Sequence, residues 1–253
     1  MDEVLVERRD GVLLVTINRP EARNALTRAV AEGVAAAVDE LDADDALRAG
    51  VLTGAGGTFS AGMDLKAFLR GETPAIEGRG LCGITQTPPR KPLIAAVEGW
   101  ALAGGFELVL ACDLVVAAET ARFGVPEVKR SLVAAGGGAL LLPRRVPANV
   151  AMEMLLTGDP IDARRAAEVG LVNRLTPEGG ALDGALALAA TVAANGPLAL
   201  AATKAVVRGS ADWTTTEGWA RQADLVAPVF ASEDAREGAA AFAEKRPPVW
   251  RGR

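Results

Sequence analysis

The stretch LIAAVEGWALAGGFELVLAC, residues 93–112, decides how this chain is read. Its length and apolar character would suit a membrane span, but Glu98, Glu107 and the Gly104-Gly105 pair interrupt it, and a charge at bilayer depth is costly. It resolves instead into a buried strand from Leu93 to Val97, a turn, and a helix from Gly104 to Ala111. An ionised carboxylate at Glu107 in such surroundings costs on the order of several kcal/mol unless it is paired. The glycine pair lets backbone approach either a ligand or a second chain segment closely, and the helix N-terminus offers free N–H donors that suit a developing negative charge. A second carboxylate, Glu127, follows 20 residues later in Phe123-Gly124-Val125-Pro126-Glu127. Acid, base and oxyanion donors are therefore expected in one pocket.

Outward from this centre, short strands and helices alternate. Val4-Leu5-Val6-Glu7 and Val12 to Ile17 read as a hairpin turning at Arg9-Asp10-Gly11. Thr27 caps a helix through about Leu41 with Val30, Val34, Ala37, Val38 and Leu41 on one face, and Ala49 to Gly54 forms a buried strand. Residues 66–90 are rich in Gly and Pro and read as a mobile segment with one helix, able to cover a site. Strands follow at Leu114 to Ala118 and Arg122-Phe123, and helices at Gly136-Gly137-Gly138 and Asp162 to Val169, before the apolar run Leu171 to Leu175. From about Leu182 the pattern is purely helical, broken at Gly196-Pro197 and Gly209-Ser210. The fold class is α/β, with a doubly wound sheet and a spiral of ββα turns both compatible. A boundary near residue 194 divides residues 1–193 from a helical module, 194–253.

Composition narrows the chemistry. Half of the 253 residues are hydrophobic, aromatics are few, and Ala and Gly are plentiful, as in a compact soluble α/β protein. The net charge of −5 gives no electrostatic support for nucleic-acid binding. There is no histidine and no tyrosine, which removes Ser-His-Asp and Cys-His catalysis and the usual zinc sites, so no metal is expected and proton transfer falls to Glu, Asp, Lys or water. Cys82 and Cys112 read as reduced core residues. The acidic start Met1-Asp2-Glu3-Val4 is unlike a signal peptide, and a cytoplasmic location is expected.

Phe59-Ser60-Ala61-Gly62-Met63-Asp64-Leu65 could by itself be a helix start capped by Ser60. Its occurrence in order with Asn18-Arg19-Pro20, Asn24-Ala25-Leu26, Lys91 to Val97, Ala101 to Glu107, Ala111-Cys112-Asp113, Phe123 to Glu127, Leu156-Thr157-Gly158, Ala166 to Val172 and Phe242 to Arg246 carries more. Over essentially its whole length the chain resembles the crotonase superfamily, the enoyl-CoA hydratase/isomerase family. The resemblance implies a ββα spiral core, a C-terminal helical trimerisation module, trimers or dimers of trimers, and an acyl-CoA thioester substrate with no separate cofactor. It implies an oxyanion hole from the N–H groups of Met63 and Gly104, and Glu107 as base and Glu127 as acid. It further implies contacts to CoA from Arg23, Ala25, Ala61, Asp64, Leu65 and Lys66, and from Phe242 and Lys245 toward a neighbouring subunit's ligand. Basic residues such as Arg23 and Lys66 also read simply as solvated surface charges, and Arg251-Gly252-Arg253 as a solubilising tail.

The chain departs from the family pattern at Ser131, Ala134 and Ala135, beside the expected acyl pocket. Its C-terminal stretch, from Ser232 onward, looks like the carnitinyl-CoA dehydratase branch. The leading expectation is an enoyl-CoA hydratase in fatty-acid or related acyl-CoA metabolism. Carnitinyl-CoA dehydratase or enoyl-CoA isomerase chemistry is the enzymatic alternative, and a silent acyl-CoA-binding protein the non-enzymatic one.

Overall fold

The computed structural model describes residues 2–253. In chain order the elements are β1 (Val4–Arg9), β2 (Val12–Ile17), α1 (Arg28–Ala43), β3 (Ala49–Gly54), α2 (Leu65–Leu69), β4 (Ala75–Ile76), β5 (Gly80–Leu81), β6 (Leu93–Val97), β7 (Trp100–Leu102), α3 (Gly104–Ala111), β8 (Leu114–Ala118), β9 (Arg122–Gly124), α4 (Gly138–Leu141), α5 (Ala148–Thr157), β10 (Ile161–Asp162), α6 (Ala163–Glu168), β11 (Arg174–Thr176) and four helices, α7 (Ala181–Ala193), α8 (Pro197–Ser210), α9 (Thr215–Ala231) and α10 (Glu233–Glu244).

The main sheet has the order β1-β2-β3-β6-β8-β11. Only the β1/β2 pair is antiparallel, joined through Asp10 and Gly11, both at positive φ, the geometry that a tight hairpin turn requires. A second sheet, β10-β9-β7, lies one step further along the chain, because β7 follows β6 and β9 follows β8. Isolated bridges from Ser60 to Ala101 and from Leu26 to Met63 extend this layer. The path is thus strand, strand, helix, repeated: the ββα spiral, not the doubly wound alternative.

Period-2 alternation sorts the central strands into two cores. Leu13, Val15, Leu93, Ala95, Val115 and Ala117 face the large core shared with α1 and α3, while Val12, Leu14, Ile94, Ala96 and Val116 face α7. α1 is capped by Thr27, whose hydroxyl accepts from the Val30 N–H, and buries the expected apolar face. The break between α7 and α8 brings a change of character: no residue of α8 or α9 is buried. α8 is tied to the core by Lys204 and Arg208, both paired with Asp113, and Arg208 and Arg145 donate to the last carbonyls of α3, where a cation complements the helix dipole.

Several expectations change. The segment 66–90 is anchored at its centre, with Cys82 and Ile84 fully buried and Arg79 paired with Asp39; its exposed part is around Phe68 and Leu69. The helix expected at Gly136 is brief: a 3-10 turn at Leu142–Arg144 containing Pro143 follows it, and α5 after Pro147 was not foreseen. Only Arg174–Thr176 pairs as a strand in the apolar run, although Leu171 and Val172 are buried. The last residues are no loose tail: the buried Asp234 carboxylate accepts from the N–H groups of Arg251 and Gly252, and the indole N–H of Trp250 donates to the Ala194 carbonyl. No single helix among the described residues is long and apolar enough to cross a membrane.

Candidate active site

The site forms where α3 begins. Ala103, its N-cap, sits at φ 49° and ψ −128°, a conformation that L residues rarely adopt and that costs about 1–3 kcal/mol. The glycine pair divides its work. A Cβ on Gly105 would lie 2.4 Å from the Ser60 carbonyl oxygen, so Gly105 serves a close backbone crossing; one on Gly104 would lie 3.6 Å from the Met63 nitrogen, so Gly104 borders the space in front of that N–H. Around Met63, the Leu26 N–H donates to the Gly62 carbonyl and the Asp64 N–H donates to the Leu26 carbonyl. The Met63 N–H, lying between these two bonds, points away from Leu26.

Met63, Gly104, Glu107 and Glu127 all line one cavity of about 560 Å³. Glu107 is 4% exposed, and its Oε1 accepts from the Gly138 N–H at 2.8 Å. A Cβ on Gly136 would lie 2.4 Å from Glu107 Oε2, so only glycine fits against that carboxylate. Burial pushes the Glu107 carboxyl up to about 7; the Gly138 N–H opposes the shift and the nearby Glu127 adds to it. Glu127 lies in the 3-10 turn Pro126–Arg130, is also pushed up by burial, and its buried Oε2 has no partner within the protein. Two neighbouring carboxyls, both with proton affinity raised by burial, can take and give a proton in one cycle.

The remaining expected residues distribute unevenly. Arg23, Ala61 and Leu65 line the cavity; Ala25, Asp64, Lys66, Phe242 and Lys245 do not. The Asp64 side chain is not free for a ligand: its carboxylate caps α2 through the Lys66 and Ala67 N–H groups and pairs with Arg19, which leaves its backbone for the CoA contact that the resemblance implies. Ser60 is likewise not a cap: its hydroxyl donates to the Asn24 carbonyl and accepts from the Gly62 N–H, fixing the loop that carries Met63. Phe242 is 87% exposed on α10 and Lys245 ends that helix in the left-handed conformation. Arg130, Gln86 and Thr73 line the cavity and were missed. For Arg130 a signal existed, its spacing of three from Glu127; Gln86 and Thr73 lie in a segment without periodicity.

The family model described as enoyl-CoA hydratase/isomerase matches residues 7–253. Enoyl-CoA hydratase EchA19 of Mycobacterium tuberculosis is 43% identical, with 99% of this chain and 97% of that protein covered. A carnitinyl-CoA dehydratase of Salmonella enteritidis is 40% identical with both chains fully covered. The solved structure of enoyl-CoA hydratase EchA1 from Mycobacterium marinum is 58% identical and superposes with a TM-score of 0.98 over the full length of both chains. With its ββα spiral and a family match over nearly every residue, the chain belongs to the enoyl-CoA hydratase/isomerase family, the crotonase superfamily.

Proposed function

We propose that this protein is an enoyl-CoA hydratase, a hydro-lyase that adds water reversibly across the 2,3 double bond of a 2-enoyl-CoA thioester in fatty-acid or related acyl-CoA metabolism. The observation that carries the reading is the convergence of Glu107 and Glu127, both with raised proton affinity, on the cavity bordered by the Met63 and Gly104 N–H groups. The pair shares one proton at the start of the cycle. Ionised Glu107 takes a proton from water as its oxygen bonds to Cβ. The electrons of the double bond move toward the thioester oxygen, which accepts from Met63 and Gly104, each donor being worth roughly 10²–10³ in rate. Protonated Glu127 then delivers a proton to Cα. The reverse sequence dehydrates a 3-hydroxyacyl thioester, and no metal or redox cofactor enters.

Arg23 and Lys66 suit the CoA phosphates, with backbone from Ala25, Ala61 and Leu65 toward the adenine end. Residues 194–253 form the trimerisation module in this reading, since no residue of α8 or α9 is fully buried within one chain while Trp219, Phe230 and Phe242 stand exposed. Phe242 and Lys245 then reach a neighbour's ligand. Carnitinyl-CoA dehydratase activity is the second reading, favoured by the full-length similarity to the Salmonella enzyme of that name. Its difficulty is that the described cavity wall supplies no acidic side chain beyond the two glutamates for a quaternary ammonium. The test is Glu107→Gln and Glu127→Gln, each measured for hydration of a 2-enoyl-CoA and for CoA binding. Each should lower turnover by roughly 10²–10⁴ with binding retained; a fully active Glu127→Gln enzyme would contradict the two-carboxylate cycle.

A further inference from the structure

The charged side chains lining the cavity, among the described residues, are Arg23, Glu107, Glu127 and Arg130. Arg23 follows the 3-10 turn at Pro20–Ala22 and lies on the same wall as Ala61 and Leu65, on the CoA side of the reading above. Arg130 is different. It lies in the 3-10 turn Pro126–Arg130, three residues after Glu127, and residues i and i+3 of a 3-10 turn eclipse one another. Arg130 thus shares the cavity-facing side of that turn with the second glutamate. The intervening Lys129 points elsewhere and pairs with Asp159, whereas the Arg130 guanidinium has no ion pair or hydrogen bond among the described residues. Past it the wall is apolar: Leu132, Val133 and Ala135.

We propose that Arg130 is a specificity residue that selects 2-enoyl thioesters whose acyl chain ends in a carboxylate over those that end in a quaternary ammonium. The inference rests on the hydratase reading and names the substrate class of the same site. A guanidinium offers a planar, bidentate match to a carboxylate, and a fixed positive charge beside the reacting carbons repels an ammonium. Glu127, the carboxylate that shares its side of the turn, is engaged in the proton cycle.

The experiment compares the intact protein with Arg130→Met and Arg130→Lys on three short 2-enoyl-CoA thioesters: unsubstituted, with a terminal carboxylate, and with a terminal trimethylammonium. Binding of the corresponding saturated thioesters is measured in parallel by calorimetry. The intact protein should prefer the carboxylate to the ammonium. Arg130→Met should lose at least about tenfold in kcat/KM on the carboxylate relative to the unsubstituted substrate, with part of that loss recovered by Arg130→Lys. An equal loss on all three would assign Arg130 to Glu127 alone and overturn the proposal, as would an ammonium preference in the intact protein. If nothing is hydrated, the hydratase reading fails. The proposal then stands if saturated carboxylate binding still depends on Arg130, and falls if it does not.

Discussion

Replacing Glu107 with Gln should make this protein less active and, above neutral pH, more stable. The Glu107 carboxyl rises from 4.5 to about 7 on folding, chiefly through burial. A raised carboxyl binds its proton more tightly in the native state than in the unfolded one, so its contribution is fully present below about pH 4.5 and is lost as pH climbs through about 7. Above both values the ionised group costs the native state about 3 kcal/mol relative to a neutral one. At about pH 5.5 the native carboxyl is still protonated while the unfolded one has largely ionised, and the cost is about 1.4 kcal/mol. The stability difference between Glu107→Gln and the natural sequence should therefore grow by about 2 kcal/mol between about pH 5.5 and about pH 8.5, in favour of glutamine. The intrinsic effect of swapping one oxygen for an amide cancels in this comparison, as do the titrating groups that are not coupled to Glu107; Glu127, which is, is controlled by repeating the comparison in a Glu127→Gln background. Denaturant unfolding of both proteins at the two pH values is the assay. A pH-independent difference would refute the claim that burial loads this carboxyl with a proton. The same shift predicts that hydration falls on the acid side of about 7, where Glu107 takes up a proton, and the cycle predicts a second fall at higher pH, where Glu127 loses the proton it must deliver.

Gly136→Ala places a Cβ 2.4 Å from Glu107 Oε2 and should displace that carboxylate, lowering kcat by about 10²-fold while CoA binding, measured calorimetrically, changes little. Ala103→Gly relieves the backbone strain at the start of α3 and should raise stability by about 1 kcal/mol, read from the denaturation midpoint, while kcat falls as the Gly104 N–H loosens. Asp234→Ala removes the acceptor of two tail N–H groups and should cost about 2 kcal/mol, with residues near Trp250 becoming protease-sensitive first.

The buried strand and the helix of the decisive stretch were legible locally, whereas the choice of a ββα spiral over a doubly wound sheet came from the family resemblance and not from periodicity. Leu93 to Val97 is apolar enough to be buried on both faces, and Gly104-Gly105 followed by Phe106 and Glu107 can only start a helix in close contact with other backbone. The pairing of Glu107 with the Gly138 N–H was not legible, because it depends on a contact across 31 residues of chain that no local period encodes. α5 went unread between the glycine run at 136–138 and Asp162, where Pro143 and Pro147 interrupt the helical pattern although Pro147 merely precedes the helix. Asp64 shows a further limit: the resemblance marks the backbone of its stretch as ligand-facing, and no local period tells that its side chain satisfies the first turn of α2 and pairs with Arg19. The tail was misread because Arg251 and Arg253 look solvated in sequence, while the backbone N–H groups of Arg251 and Gly252, which no side-chain pattern reports, make the contact with Asp234.

The most direct test of the account is to mix the intact protein with a panel of 2-enoyl-CoA thioesters and follow the absorbance of the conjugated enoyl group. Hydration saturates that double bond, so the account predicts catalytic loss of the signal and formation of the 3-hydroxyacyl thioester, approached from either side of the equilibrium. Tight CoA binding with an unchanged enoyl signal across the whole panel would contradict it and leave an acyl-CoA-binding protein on a crotonase fold.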